Sequence, residues 1–384
     1  MDALTPTPTG PAGELLAGLP LVDGHCHLVS TQPLGGTAFE LAATEADRPG
    51  PAGVSHLDTQ LGLAIRRWCA PVLGLPPHSS TVDYLRRRDE LGPTQVLGRL
   101  VGAAGLAELL IDTGLAGDGL CSPAELAAAG PTVREVVRLE AIAERVAAEG
   151  TSAAGFAAAY RAALHTAAAG AVAVKSIVAY RHGLDLDPAR PAAREVETAA
   201  GGWLAAGGRL TDPTLLRFVL WAGVDTGLPV QLHTGFGDRD LALPRADPAR
   251  LQPWLAAVEP TGVPVVLLHC YPYHRQAGWL AQVYPGVHVD LGLTTGYAGA
   301  RAAAVIAEFC ELTPFGKLLF ATDAYLLPEL YLVGAAQFRR GLGQVLDGWV
   351  AESAMSTGDA CRIARMIAGD NARRLYPGVA VGRG

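Results

Sequence analysis

Apolar residues fall along this chain in two alternating patterns. Short runs rich in Val, Leu and Ile end in one or two polar residues, and each is followed by a longer stretch whose apolar positions recur with helical spacing. The runs are LPLVDGHCH, ELLIDTGL, REVVRLEAI, GAVAVKSIV, LPVQLHTG, VPVVLLHC, GVHVDLGL and KLLFATDAY, eight in all. The stretches between them include DPTLLRFVLWAGVDTG and DPARLQPWLAAVEPTG, in which Asp supplies a helix N-cap and Pro occupies the first helical position. Apolar strands alternating with helices predict a parallel sheet covered on both faces. Eight such units predict an α/β protein built as a (β/α)8 TIM barrel.

One region breaks the rhythm. After the first run, residues 28–105 carry a polar loop and helical patterns such as DTQLGLAIRRWCAPVLGL, which predict a helical insertion after strand 1. Such an insertion serves either as a lid over the barrel mouth or as a cap packed beside it. The domain organisation expected is a loose lead-in at 1–18, the barrel at 19–375 and a tail at 376–384.

Composition narrows the function classes. Of 384 residues, 50% are hydrophobic and 17% charged, enough for a large buried core and unlike a disordered chain. Lys plus Arg is 30 and Asp plus Glu is 37, a net charge of −7 with no basic block, so nucleic acid is not an expected partner. No apolar run approaches the ~20 residues that cross a bilayer, and MDALTPTPTGPAGE lacks the features of a signal peptide. Six cysteines without C-x-x-C spacing suit reduced thiols. The expectation is a cytoplasmic protein acting on a small molecule, with no membrane partner and with homo-oligomerisation open.

The barrel prediction carries its own test, because catalytic groups in such barrels sit at the C-terminal ends of strands. His25 and His27 end the first run and, two residues apart, project from one face of an extended chain while Cys26 turns into the wall. Lys175 lies in the fourth run, His233 ends the fifth, His269 ends the sixth and Asp323 ends the eighth. Each taken alone has an ordinary explanation: a snorkelling lysine, a hydrogen-bonded core histidine, a helix-capping aspartate. Together at one barrel mouth they predict a metal site holding one or two divalent ions, with Zn2+ expected and Mn2+ as the alternative. Asp323 would be ligand and general base, and His269 a second ligand or a hydrogen-bond donor to the developing oxyanion. Tyr180, Arg181 and His274, in the loops after strands four and six, are candidate substrate contacts, Arg181 as a bidentate carboxylate clamp. Glu45 and His56 read as residues of a solvated loop.

HCH at 25–27, AVKSIVAYRHGLD, VQLHTGFGDRDL, LLHCYPYHRQAGWLA and LLFATDAYLLPELYLVGA together resemble the amidohydrolase superfamily, in its amidohydrolase-related (type 2) branch. Within that branch the chain is similar to the amidohydrolase-like domain of FluG and nodulin/glutamine synthetase fusion proteins. The resemblance implies a metal-dependent barrel enzyme. Most such enzymes hydrolyse amide or ester bonds, and a smaller set decarboxylate carboxylic acids without redox chemistry. It also implies two readings of Lys175. A carbamylated lysine would bridge to a second ion with His233 and His269, whereas a free ammonium would bind an anionic substrate.

The function expected is hydrolysis of an amide (C–N) or related bond of a small, anionic substrate by metal-activated water. Non-oxidative decarboxylation is the alternative, and a barrel that binds a ligand or partner without turnover is the alternative of another class.

Overall fold

The computed structural model describes residues 10–115 and 117–379. Eight parallel strands form one sheet in sequence order: β1 (Leu21–Cys26), β2 (Leu106–Asp112), β3 (Thr132–Arg138), β4 (Ala173–Ser176), β5 (Val230–Thr234), β6 (Val265–His269), β7 (Val287–Asp290) and β8 (Leu318–Leu319). Each overlaps one of the eight apolar runs, β2 and β3 beginning two residues before theirs. Gly24 N donates to Phe320 O at 2.9 Å and Asp323 N to His25 O at 3.0 Å. These bonds tie the segment that follows β8 to β1, closing the (β/α)8 TIM barrel. The expected Asp caps are present, with Asp212 accepting from Thr214 N and Leu215 N, and Asp247 from Ala249 N. No helix among the described residues is long and apolar enough to cross a membrane.

Two cores result from two-sided burial. Inside the barrel, Val22, Leu110, Val136, Val266, Leu268 and Leu319 pack together and are closed off by Ala372, Tyr376 and Val379. The larger core lies between the strands and the surrounding helices. Tyr376, assigned by the sequence to a tail, is thus a core residue; its ring is buried among the strand interiors and its hydroxyl accepts from Gln231 Nε2 at 2.9 Å.

The supposed loose lead-in is also structured, with α1 spanning Pro11–Gly18. Its stability comes from far along the chain. Asp347 accepts from Ala12 N and Gly13 N at the N-terminus of α1, at 2.9 and 3.0 Å, and Arg339 donates to Leu16 O and Leu19 O at its other end. A single distant helix therefore satisfies groups that the short helix leaves orphaned at both ends.

The insertion folds as four helices, α2 (Gly36–Ala42), α3 (Gln60–Val72), α4 (Thr81–Leu91) and α5 (Pro93–Ala104). They are held to the long helix α6 (Pro328–Ala351), which begins five residues after Asp323. Leu61, Ile65 and Trp68 of α3 are buried, and α3 and α5 both pack on α6. Glu329 in the first turn of α6 is fully buried; Arg88 Nε lies 2.6 Å from its Oε1 and the Tyr84 hydroxyl donates to the same oxygen at 3.0 Å. This buried, hydrogen-bonded ion pair ties the insertion to the segment that carries Asp323.

Candidate metal centre

Asp323 is the point on which the site converges. Its Oδ1 lies 3.4 Å from His25 Nε2 and 3.3 Å from His27 Nε2, and its Oδ2 lies 3.6 Å from His269 Nε2. The backbone is bent to achieve this, since Asp323 has φ 52° and His269 φ 65°, left-handed conformations that L residues other than Asn, Asp and Gly rarely adopt. Neighbours hold both bends. Buried Asp23 accepts from Thr322 N and Thr322 Oγ1 at 2.9 and 2.5 Å, while Asp290 accepts from His269 N at 2.7 Å. In β1 the register shifts between Asp23 and Cys26, a bulge of the kind found beside active sites.

The histidine rings are oriented by their far nitrogens. His25 Nδ1 pairs with Gln231 Oε1 at 2.8 Å and His27 Nδ1 with Asp112 O at 3.2 Å. A carbonyl oxygen, of the Gln231 side-chain amide or of the Asp112 backbone, can only accept, so both bonds are consistent with Nδ1–H and leave the Nε2 lone pairs for the centre. Burial, then the nearby Lys175 charge, holds His25 and His233 well below the usual histidine range. Burial does the same for His269 although Asp323 opposes it. Burial alone would raise the Asp323 carboxyl, yet His269 and then His27 offset this and keep it below the ordinary carboxylate value. Neutral imidazoles facing an ionised carboxylate are the protonation states a divalent ion requires of its ligands.

The donor set fits such an ion. The ligand atoms of His25, His27 and Asp323 all lie within 4.8 Å of one another. His233 Nε2, His269 Nδ1 and Asp323 Oδ1 are buried with no hydrogen-bond partner, and polar atoms left so cost free energy unless something binds them. The His233 and His269 rings lie 4.8 Å apart, on neighbouring strands in which Thr234 pairs with His269.

Lys175 enters this cluster as an amine with one neutral and one anionic partner. Its Nζ is 3.0 Å from His25 Nε2 and 3.5 Å from Asp112 Oδ2. Burial lowers its pKa, and Asp112 works against that. Asp112 in turn receives Arg138 Nε and Nη2 on Oδ2, at 3.0 and 2.6 Å.

These groups open into a cavity of about 460 Å³. Tyr180 lines it as expected, with its ring 4.5 Å from that of His233. A Cβ on Gly237 would collide with the Tyr180 hydroxyl, so a glycine is needed there. The segment 41–47 of the insertion forms one wall as a lid, through residues that include Leu41, Thr44 and Glu45, while α3 and α5 pack beside it on α6. Glu45, read from the sequence as solvated, instead faces the cavity and accepts from the Tyr297 hydroxyl at 2.8 Å.

Two expected substrate contacts lie elsewhere. Arg181 pairs with Glu144 Oε1 at 3.0 Å, outside the cavity. It and Tyr180 are adjacent in one short helical turn (Val178–Arg181), where consecutive side chains diverge, so only one can reach the mouth. His274 stacks on Tyr271 and pairs with Glu308 Oε2 at 2.7 Å, between helices on the barrel exterior. Arg138, Asp112 and Gln231 were the residues overlooked. Asp112 and Arg138 end β2 and β3, the position that marked the other candidates. Gln231 precedes His233 by two residues and so shares its inward face.

With this geometry in view, comparison with known proteins is decisive on family. The pattern of an amidohydrolase family matches residues 22–378. The chain belongs to that amidohydrolase family. It is 34% identical to the protein FluG of Emericella nidulans over 221 residues, 53% of this chain and 25% of FluG. The chain thus spans about a quarter of that relative's length. A crystal structure described as a metal-dependent hydrolase from Lactobacillus casei superposes with TM-score 0.84 at 29% identity, covering 94% of this chain and 96% of that one. A uronate isomerase from Thermotoga maritima shares the fold, with TM-score 0.61 at 16% identity over 96% of this chain and 98% of the other. Membership makes this amidohydrolase one of a metal-dependent group of enzymes.

Proposed function

We propose that this amidohydrolase hydrolyses an amide or related bond of a small carboxylate-bearing substrate, with one divalent ion, most simply Zn2+, held by His25, His27 and Asp323. The observation that carries the reading is the convergence of those three ligand atoms beside the orphaned nitrogens of His233 and His269. A divalent ion bound there supplies a Lewis acid for a carbonyl and lowers the pKa of a water molecule.

This chain's own residues supply the rest. Asp323, ionised and reached by His25 and His27 on one oxygen and His269 on the other, is placed to accept a proton and return it to the leaving nitrogen. His269 and His233 offer buried ring nitrogens toward the carbonyl oxygen on which charge develops. Arg138, at the cavity floor, replaces Arg181 as the candidate carboxylate clamp.

Lys175 supports the one-ion form. A carbamate at its Nζ would place a second anion beside Asp112 Oδ2, now 3.5 Å away, whereas an ammonium is attracted there. An ion at His25 Nε2 requires the ammonium to give up its 3.0 Å bond to that nitrogen and keep Asp112 as partner. We assign the protein to the reducing cytoplasm, a reading supported by six free cysteines, four of them buried.

The test is a mass-spectrometric screen of carboxylated amides and esters against the metal-loaded protein and its His25→Ala variant. Pairs of products whose summed mass exceeds the substrate's by one water, absent with the variant, are expected. Loss of carbon dioxide, or isomerisation without a mass change, would replace hydrolysis with another chemistry.

A further inference from the structure

The cavity is electrostatically two-ended. At its floor, where the strands end, Arg138 and Lys175 are both buried, with Asp112 as their shared carboxylate. Arg138 uses only Nε and Nη2 on Asp112. Its Nη1 makes no hydrogen bond among the described residues, although Arg138 lines the cavity.

Loops above the strands build the other end. Glu45 comes from the insertion and Asp238 from the segment after β5, and both line the same cavity. Glu45 receives the Tyr297 hydroxyl on Oε1, while Oε2 has no partner among the described residues. The basic side chains of the rim are committed elsewhere. Arg48 and Arg239 pair with Asp47, and Arg209 pairs with Asp240. Around Glu45 stand Tyr297, Asp238, Asp323 and Tyr180, none of them cationic. Burial, reinforced by Asp323 and Asp238 against the Tyr297 bond, pushes the Glu45 carboxyl up to about 7. A cation at Oε2 would relieve that cost. Leucines at 41, 115, 293, 326 and 330 fill the wall between the two ends.

We infer that the cavity takes a zwitterion, a small molecule whose carboxylate meets Arg138 and whose protonated amine meets Glu45, with an apolar segment between them. This deepens, and rests on, the reading of the cavity as the active site of a small-molecule hydrolase. An amide of this layout is a dipeptide with apolar side chains. Its hydrolysis breaks the C–N bond; the water oxygen stays on the acyl carbon and a water proton goes to the leaving nitrogen.

Isothermal titration of the metal-loaded protein with leucyl-leucine, N-acetyl-leucyl-leucine and leucyl-leucinamide tests this, with products followed by mass spectrometry in the same samples. Each of the last two probes lacks one charge. Leucyl-leucine is expected to bind at least about tenfold tighter than either, a difference that a lost charge-assisted contact readily produces. Glu45→Gln is expected to abolish the preference over the N-acetyl form and to keep the preference over the amide. Equal or tighter binding of N-acetyl-leucyl-leucine, or no binding of any probe, overturns the inference. The comparison on the unsubstituted protein decides this even should the variant fail to fold. Binding without hydrolysis would count against the hydrolase reading alone, and equal hydrolysis of the N-acetyl probe against the zwitterion alone.

Discussion

Gln231 Oε1 and His25 Nδ1 lie 2.8 Å apart, and the bond has only one polarity. The Gln231 amide nitrogen donates to Gly24 O at 2.8 Å and to the Tyr376 hydroxyl at 2.9 Å, so its oxygen is the acceptor and His25 carries its proton on Nδ1. That leaves Nε2 unprotonated toward Asp323. Replacing Gln231 with Leu removes the acceptor, and metal affinity is expected to fall about 10- to 100-fold in competition with a chromogenic chelator. Unchanged affinity would mean that the ring is oriented by something other than Gln231.

Asp323→Asn keeps the shape of the side chain and removes its basicity. With metal occupancy matched to the parent's, a loss of about 10²- to 10⁴-fold in kcat is expected once a turned-over substrate is in hand, the range for a positioned general base. Retention of kcat within a few-fold would transfer the proton-moving role to another group.

The Arg88–Glu329 pair is a prediction about stability and about the lid together. Arg88→Met leaves the Glu329 carboxylate buried with only Tyr84 to serve it, and a loss of about 3–5 kcal/mol in chemical denaturation is expected. Adding Glu329→Met should recover part of that loss, because the uncompensated charge is gone. An Arg88→Met variant near the parent's stability would place the attachment of the insertion in its apolar contacts alone.

Much of this architecture was legible because strands buried on both faces must be apolar nearly throughout, so each of the eight announced itself, and a charged or imidazole group at its exit stood out. Cys26, packed with its thiol against Leu110 O, followed from simple alternation. What stayed hidden depended on distant partners. Helix α1 exists through Asp347 and Arg339, more than three hundred residues away. Tyr376 reads as part of a terminal tail until the barrel floor is built around it. Arg181 and His274 share their loops with site residues, and only side-chain direction, which spacing in a loop does not determine, sends them outward to Glu144 and Glu308.

Asp23 makes stability pH-dependent in the direction opposite to ordinary acid denaturation. Burial raises its carboxyl from 3.8 to about 7, despite the bonds from Thr322. The folded protein therefore holds a proton there that the unfolded chain has released. This contribution is complete below the unfolded value, declines between about pH 4 and 7, and is gone above, a change on the order of a few kcal/mol. Asp290, also raised to about 7, acts in the same window. Asp23→Asn is expected to flatten the decline measured by denaturant titration from pH 5 to 8, and a slope equal to the parent's would remove Asp23 from the account.

The metal content of the purified protein tests the central claim most directly. Elemental analysis after loading with Zn2+ and desalting, on the parent chain, His25→Ala and Asp323→Ala, with circular dichroism to establish folding, should find about one ion per chain in the parent and almost none in the two folded variants. A parent without metal, or variants that keep it, would contradict the assignment of His25, His27 and Asp323 as the centre.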